Sequence, residues 1–264
     1  AAYGLTETGA GSDAMGLKTK AVLSPDGKFY ILNGSKQFIT NGGICDLVTV
    51  FAHIDGDRKK SAAFLVERGF PGFSSGAEEK KMGIKGSSTT SLTFEDCKVP
   101  VENLLGEIGE GGRVAFSVLD LGRLQVGGAC AGAAKWLIKQ TIQYAKDRVQ
   151  FKKPIIEFGM VKRMLADSIA LTFATETIAY RSSYLIDQAF EAISPDDPEA
   201  RKKRIIAIGN FAPECSIVKV FGSEALDSVA DMCLQIYGGY GFTEEYPAEK
   251  IVRDCRVNRI FEGT

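Results

Sequence analysis

The hydrophobic period of the chain changes once, near Gly112, and this change limits the folds that the chain can adopt. Before that point, short runs rich in β-branched and aromatic residues predict β-strands at 29–32, 47–51, 63–66 and 91–94. Turn residues separate these runs at 25–27, 33–34, 41–43 and 71–72. Several short strands at this spacing favour an antiparallel β-barrel or sandwich.

After Gly112 the apolar residues recur at helical spacing. Residues 113–146 contain no proline and predict one long helix. Further helices are predicted over about 159–190, 198–230 and 247–260, with prolines and a glycine pair between them. Four long amphipathic helices joined by short connections favour a bundle. Because strands and helices do not alternate, we predict an α+β chain, with a β domain at 1–108 and a helical-bundle domain at 109–264.

Composition and charge exclude several classes of function. The 32 basic and 33 acidic residues are spread along the chain, which argues against a nucleic-acid surface and against a polybasic membrane patch. No segment approaches the roughly 18 consecutive apolar residues of a membrane-spanning helix. The six cysteines lack CxxC spacing and His53 is the only histidine, so we expect no metal site. We expect the thiols to be buried and reduced, in an intracellular protein.

Five short blocks carry the side chains for which chemistry can be suggested. Residues 3–13 (YGLTETGAGSD) form a loop rich in glycines and hydroxyls, which lets backbone N–H groups approach a planar ring or a phosphate. Taken alone, such a loop is more often a simple turn. Residues 36–43 (KQFITNGG) place an aromatic ring and a hydroxyl at a strand end, as a hairpin corner also does. The other blocks are 148–151 (RVQF), 235–242 (QIYGGYGF) and 253–264 (RDCRVNRIFEGT).

In this order and at these separations, the five blocks resemble the acyl-CoA dehydrogenase family, over essentially the whole chain. The resemblance implies an enzyme that uses FAD to dehydrogenate a fatty acyl-CoA thioester to the trans-2-enoyl-CoA. In that family a helical domain precedes the β domain, so we expect the chain to be part of a longer protein. The phenylalanine-glycine pair at 158–159 is similar to the very-long-chain branch and favours longer substrates.

The resemblance assigns FAD to residues of all five blocks. Those assigned to the flavin are Leu5, Thr6, Gly11, Ser12, Phe38, Ile39 and Thr40. Those assigned to the FAD of a neighbouring subunit are Arg148, Gln150, Phe151, Gln235 and Gly239, and Thr264 is assigned to the cofactor as well. Many members carry tryptophan where this chain has Phe38, and either residue supplies an aromatic wall. The usual glycine is replaced here by Lys152, which can alter the local turn. The shared cofactor site implies a homodimer or homotetramer.

Glu262 is the catalytic base that the resemblance implies, removing the Cα proton while hydride passes from Cβ to flavin N5. No side chain accepts hydride, and a carboxylate serves as a base when burial raises its pKa. The backbone N–H of Glu262 would bind the thioester carbonyl, and Gly263 would let the backbone approach the substrate. The other residues assigned to the substrate are Ser12, Asp120, Arg123, Phe261 and Gly263.

Residue chemistry alone permits plainer interpretations of these positions. Asp120 and Arg123 have the spacing of an ion pair on a solvated helix face, and Glu262 is an exposed residue near a chain end. Within the family, an oxygen-dependent acyl-CoA oxidase and a catalytically silent assembly factor stay open as alternatives. The dehydrogenase interpretation implies an electron-transferring flavoprotein as acceptor, in the bacterial cytoplasm or the mitochondrial matrix.

Overall fold

The computed structural model describes residues 1–263, and the chain divides into two compact units, Ala1–Val118 and the residues from Leu119 onward. We call them the first unit and the second unit. The division lies inside a long helix, and the domain limits at 1–108 and 109–264 stay a prediction.

The first unit is built on one mixed β-sheet. Its strands are β1 (Ala2–Gly4), β2 (Lys20–Leu23), β3 (Phe29–Thr40), β4 (Leu47–Ile54), β5 (Ser61–Glu67), β6 (Phe73–Ser75), β7 (Thr89–Pro100) and β8 (Leu104–Leu105). They run in the order β6-β7-β3-β2-β4-β5-β8, with β1 parallel beside β4. In the described residues the sheet is open and not closed into a barrel. Every predicted run lies in one of these strands, and the core includes Leu32, Val50, Phe64 and Phe94.

Strand β3 is longer than the sequence suggests because it contains two bulges. Its pairing with β7 shifts register between Leu32 and Gly34 and again between Lys36 and Ile39. The predicted turn at 33–34 is therefore wrong. Gly34 has φ +151°, and a Cβ there would lie 2.5 Å from Thr19 Oγ1, so the position accepts only glycine.

The second unit is helical. Its elements are α1 (Gly111–Asp147, which begins in the first unit), the hairpin β9 (Val149–Gln150) and β10 (Lys153–Pro154), α2 (Gly159–Glu191), α3 (Ala200–Asn210), α4 (Ala212–Tyr237) and α5 (Pro247–Cys255). The first two predicted helices are confirmed. The helix predicted over 198–230 is wrong, because it is two helices that meet at Phe211, with Pro213 in the first turn of α4. The helix predicted over 247–260 stops at Cys255 and continues as a 3₁₀ turn.

Two further properties concern both units. All six cysteines are buried as free thiols, as predicted, and burial raises the pKa of Cys97, Cys130, Cys215, Cys233 and Cys255 to about 11.

Across residues 1–263, no single helix has the length and apolarity needed to span a membrane. The segments Ala200–Asn210 and Ala212–Phe242 meet those criteria only as a pair, bent by 52°.

Candidate active site

A buried ion pair fixes the loop at 3–13 in the first unit. Lys36 Nζ donates to Glu7 Oε1 at 2.8 Å and to the Leu5 carbonyl at 3.3 Å. The Thr19 N–H and hydroxyl donate to the same Glu7 oxygen at 3.0 and 2.5 Å, and the Lys18 N–H donates to Oε2 at 2.6 Å. Burial lowers the pKa of Lys36 to about 8. Burial alone would raise the pKa of Glu7, but Lys36 and the hydrogen bonds hold it below its usual value.

This arrangement presents some of the residues assigned to the flavin and buries others. The Gln37 N–H donates to the Thr6 carbonyl at 2.9 Å, which ties the loop to β3 beside its second bulge. At that bulge Phe38 adopts φ +58° and its ring is 64% exposed. The side chains of Leu5 and Ile39 belong to the buried interior, so only their backbone is available to a ligand. The remaining assigned residues are half-buried or exposed: Thr6, Gly11, Ser12 and Thr40.

The second unit brings the two other cofactor blocks together. A cleft of about 510 Å³ is lined by Arg148 and Gln150 from one block and by Gly238, Gly239 and Tyr240 from the other, together with Tyr144, Ile155, Ile236, Tyr237 and Thr243. The Arg148 guanidinium lies 5.4 Å from the centre of the Tyr240 ring. Gln235, also assigned to the cofactor, is exposed near the end of α4, outside this lining.

The hairpin beside this cleft turns at Phe151 and Lys152. Both residues are left-handed, with φ +52° and +65°, as a two-residue hairpin turn requires. Lys152 therefore adopts the backbone conformation that glycine favours, and the turn that the sequence leaves in doubt is formed. Phe151 is 88% exposed.

Glu262 lies in a strained turn of the second unit. Its φ is +58° and that of Gly263 is +91°. Arg123 Nε donates to the Glu262 carbonyl at 2.8 Å, and Lys219 Nζ donates to the Gly263 carbonyl at 2.6 Å. The carboxyl group lies over Gly122 of α1, where a Cβ would come within 3.0 Å of Glu262 Oε2. That oxygen is buried and has no hydrogen-bond partner among the described residues.

The electrostatics around Glu262 combine burial with two cations. Burial raises the pKa of Glu262, and the charges of Arg123 and Lys219 oppose that rise. Arg123 Nη1 also donates to Asp120 Oδ1 at 3.0 Å, and burial raises the pKa of Asp120 against the effect of Arg123. The Asp120–Arg123 pair thus exists, but Asp120 is 4% exposed, so the plainer interpretation of a solvated helix face is wrong. In this environment the Glu262 carboxylate takes up a proton at a higher pH than an exposed carboxylate does.

Two residues of this site were not expected from the sequence. Gly122 and Lys219 are 140 and 43 positions from Glu262, and no local pattern connects them. A usable signal was the single lysine in the apolar run 216–222 (SIVKVFG) of α4. Of the other assigned residues, Phe261 is 38% exposed and Gly263 is exposed, whereas Thr264 lies outside the described residues.

Comparison with known proteins gives one consistent result. The profile described as "Acyl-CoA dehydrogenase, C-terminal domain" matches residues 109–264, and "Acyl-CoA dehydrogenase, middle domain" matches residues 2–97. A "Probable acyl-CoA dehydrogenase" of Bacillus subtilis is 47% identical over all of this chain and 44% of its own length. The human "Very long-chain specific acyl-CoA dehydrogenase, mitochondrial" is 42% identical over all of this chain and 39% of its own.

A solved structure agrees. The Bacillus anthracis acyl-CoA dehydrogenase, crystallised in complex with FAD, superposes with a TM-score of 0.97 at 48% identity, covering all of this chain and 44% of that one. The chain therefore spans less than half the length of these relatives.

Proposed function

The chain belongs to the acyl-CoA dehydrogenase family, and we propose that it carries the flavin site and the catalytic base of an enzyme that dehydrogenates a fatty acyl-CoA. The product is the trans-2-enoyl-CoA, and the activity is that of the full-length protein. Within it, residues 1–108 bind flavin and acyl-CoA, and residues 109–264 supply the base. The very-long-chain relative and the pair at 158–159 favour long acyl chains.

The observation that carries this proposal is the environment of Glu262. A buried carboxyl oxygen without a hydrogen-bond partner is costly, and such groups concentrate at functional sites. The raised pKa makes this carboxylate a stronger base than one in water, while Arg123 and Lys219 keep its ionised form accessible. Removal of a weakly acidic Cα proton needs such a group.

The turn that holds Glu262 also offers a donor to the substrate. Among the described residues, no acceptor takes the Glu262 N–H, and Gly263 adds no Cβ beside it. We assign this N–H to the thioester carbonyl, on which negative charge develops as the Cα proton leaves. One preorganised donor of this kind typically contributes roughly 3–4 kcal/mol. Asp120, Arg123, Phe261 and Ser12 complete the proposed substrate set.

FAD fits the residues that each unit presents. An aromatic ring that is 64% exposed, beside the exposed Thr40, suits the face and edge of a flavin. In the second unit, Arg148 and glycines 238–239 line one cleft, where a guanidinium suits a pyrophosphate and glycines let a ligand approach the backbone closely. When bound, FAD supplies the hydride acceptor that side chains lack. We assign the second group to the FAD of a neighbouring subunit, in a homodimer or homotetramer.

The experiment that tests the function is anaerobic mixing of the full-length protein with saturated acyl-CoA thioesters of increasing chain length. We expect bleaching of the flavin absorbance, fastest with long chains, and product with a trans-2 double bond. An electron-transferring flavoprotein should then restore the oxidised flavin faster than oxygen does. Rapid recovery in oxygen alone would identify an oxidase instead, and absence of bleaching at every chain length would refute an enzymatic role.

A further inference from the structure

Lys219 is buried in the second unit, and no carboxylate among residues 1–263 is hydrogen-bonded to it. It lies on α4 and is 2% exposed, although lysines are almost never fully buried unless they are paired. Its ammonium donates instead to a backbone oxygen, the Gly263 carbonyl, at 2.6 Å. Burial lowers the pKa of Lys219, and the nearby charge of Arg123 lowers it further. A side chain kept at this cost has a role that packing does not explain.

The carbonyl that Lys219 holds belongs to the turn of Glu262. Two consecutive residues of this turn are left-handed, which is unfavourable for a residue with a Cβ such as Glu262. Such strain persists only where surrounding contacts fix it. Arg123 from α1 holds the first carbonyl of the turn, and Lys219 from α4 holds the second.

The two helices are themselves locked together close to these residues. A Cβ on Gly222 of α4 would lie 3.0 Å from the Cα of Gly127 of α1, so the helices cross in close contact. The two carbonyls of the turn are therefore anchored to a closely packed pair of helices.

We propose that Lys219 is a positioning residue for the dehydrogenation, because it holds the Gly263 carbonyl and thereby sets both the carboxylate and the N–H of Glu262. This inference rests on the proposed function of Glu262. It assigns to Lys219 no contact with substrate or cofactor.

The charge of Lys219 predicts a change in the pH dependence of flavin reduction that a purely structural role would not produce. Among the described residues, the charged and titratable groups that act on Lys219 are Glu262 and, from α1, Arg123 and Cys130. Asp120 of α1 is paired with Arg123. The Lys219 charge lowers the pKa of Glu262. Without it, Glu262 stays protonated to a higher pH, and the rate of flavin reduction reaches its plateau later as the pH rises.

The test is Lys219→Met in the full-length, FAD-loaded protein, since methionine keeps the size but removes the donor and the charge. The rate of anaerobic flavin reduction by acyl-CoA should fall about 10- to 100-fold, with the acid limb of its pH profile shifted upward. The apparent affinity for acyl-CoA should change less than about threefold, because Lys219 does not touch the substrate. Lys250→Met, an exposed lysine on α5, is the matched control and should behave like the parent.

The outcomes separate this inference from the proposed function. Parent-like rate and pH profile in Lys219→Met, with Glu262→Gln inactive, would overturn the role of Lys219 and leave the base assignment standing. If Glu262→Gln reduces flavin at the parent rate, both fail. A rate loss without a shift of the acid limb would identify a merely structural lysine. Should Lys219→Met fail to fold, Lys219→Gln, which keeps a polar group but no charge, must show the same upward shift.

Discussion

The glycines of α1 allow the placement of Glu262 to be tested separately from helix stability. Gly122 lies under the carboxyl group, and a Cβ there would be 3.0 Å from Oε2 and 3.4 Å from Cδ of Glu262. Gly128 and Gly132 lie on the same helix with no atom within 4 Å of the added Cβ. Replacing any of the three with alanine improves helix propensity by about 0.8–1 kcal/mol.

Gly122→Ala is predicted to affect stability and activity in opposite directions. The Cβ stands about 0.4 Å inside the 3.4 Å at which ordinary van der Waals contact begins, so the carboxyl group must move by that amount. If 1 Å of misplacement costs about 10²-fold, this shift lowers the rate of flavin reduction roughly five- to tenfold. The melting temperature should nevertheless be unchanged or higher, by up to about 2–4 °C.

The assay is stopped-flow flavin reduction by acyl-CoA, with thermal unfolding of the same preparations. Gly128→Ala and Gly132→Ala should gain stability and keep the parent rate. An equal rate in Gly122→Ala and in these controls would refute the close packing of Glu262 on α1. A rate loss accompanied by a fall in melting temperature would mean that the effect is general unfolding.

Three other outcomes follow from the structure. Glu7→Gln leaves Lys36 buried without its anion and should destabilise the protein by about 3–5 kcal/mol, seen in urea unfolding. The pKa of Glu7 is lower in the folded protein than in the unfolded chain, so its ionised form stabilises the fold at pH values above the unfolded-state pKa. This stabilisation is lost as the pH falls through the folded-state pKa. The parent should therefore lose stability on acidification more steeply than Glu7→Gln, and parallel curves would contradict the pairing. Lys152→Gly should raise the melting temperature slightly, since glycine favours the left-handed turn without strain, and a decrease would argue against φ +65°. Peptide mapping after thiol labelling at pH 8 should find Cys97 and Cys233 unmodified in the native protein, and rapid labelling would contradict a pKa of about 11.

Much of the fold could be predicted because local signals agree with the final structure. The strand runs and the helix over 113–146 have strong periodicity and clear turn residues. The sequence does not predict the break at Phe211, because the apolar pattern runs through it and Pro213, which fits the first turn of a new helix, lies within that pattern. The bulge at 33–34 was missed because asparagine-glycine marks a hairpin turn more often, and only the contact with Thr19 distinguishes the two.

The site was predictable only where its residues form contiguous blocks. Glu262 and the cleft residues Arg148 and Gly239 come from such blocks. Lys219 does not, since it is an isolated lysine whose partner, the Gly263 carbonyl, is brought near by tertiary folding. Its signal was a single charge in a mostly apolar stretch of helix, which a local sequence pattern does not connect with a site.

The most direct test of the central claim is Glu262→Gln, studied by anaerobic flavin reduction with a saturated acyl-CoA in a single turnover. Glutamine keeps the size and the backbone N–H but cannot accept the proton, so the loss should fall on the chemical step. We predict a decrease of about 10²–10⁴-fold or more, with FAD content and acyl-CoA binding close to those of the parent. Flavin reduction at the parent rate would show that Glu262 is not the base and would contradict the account.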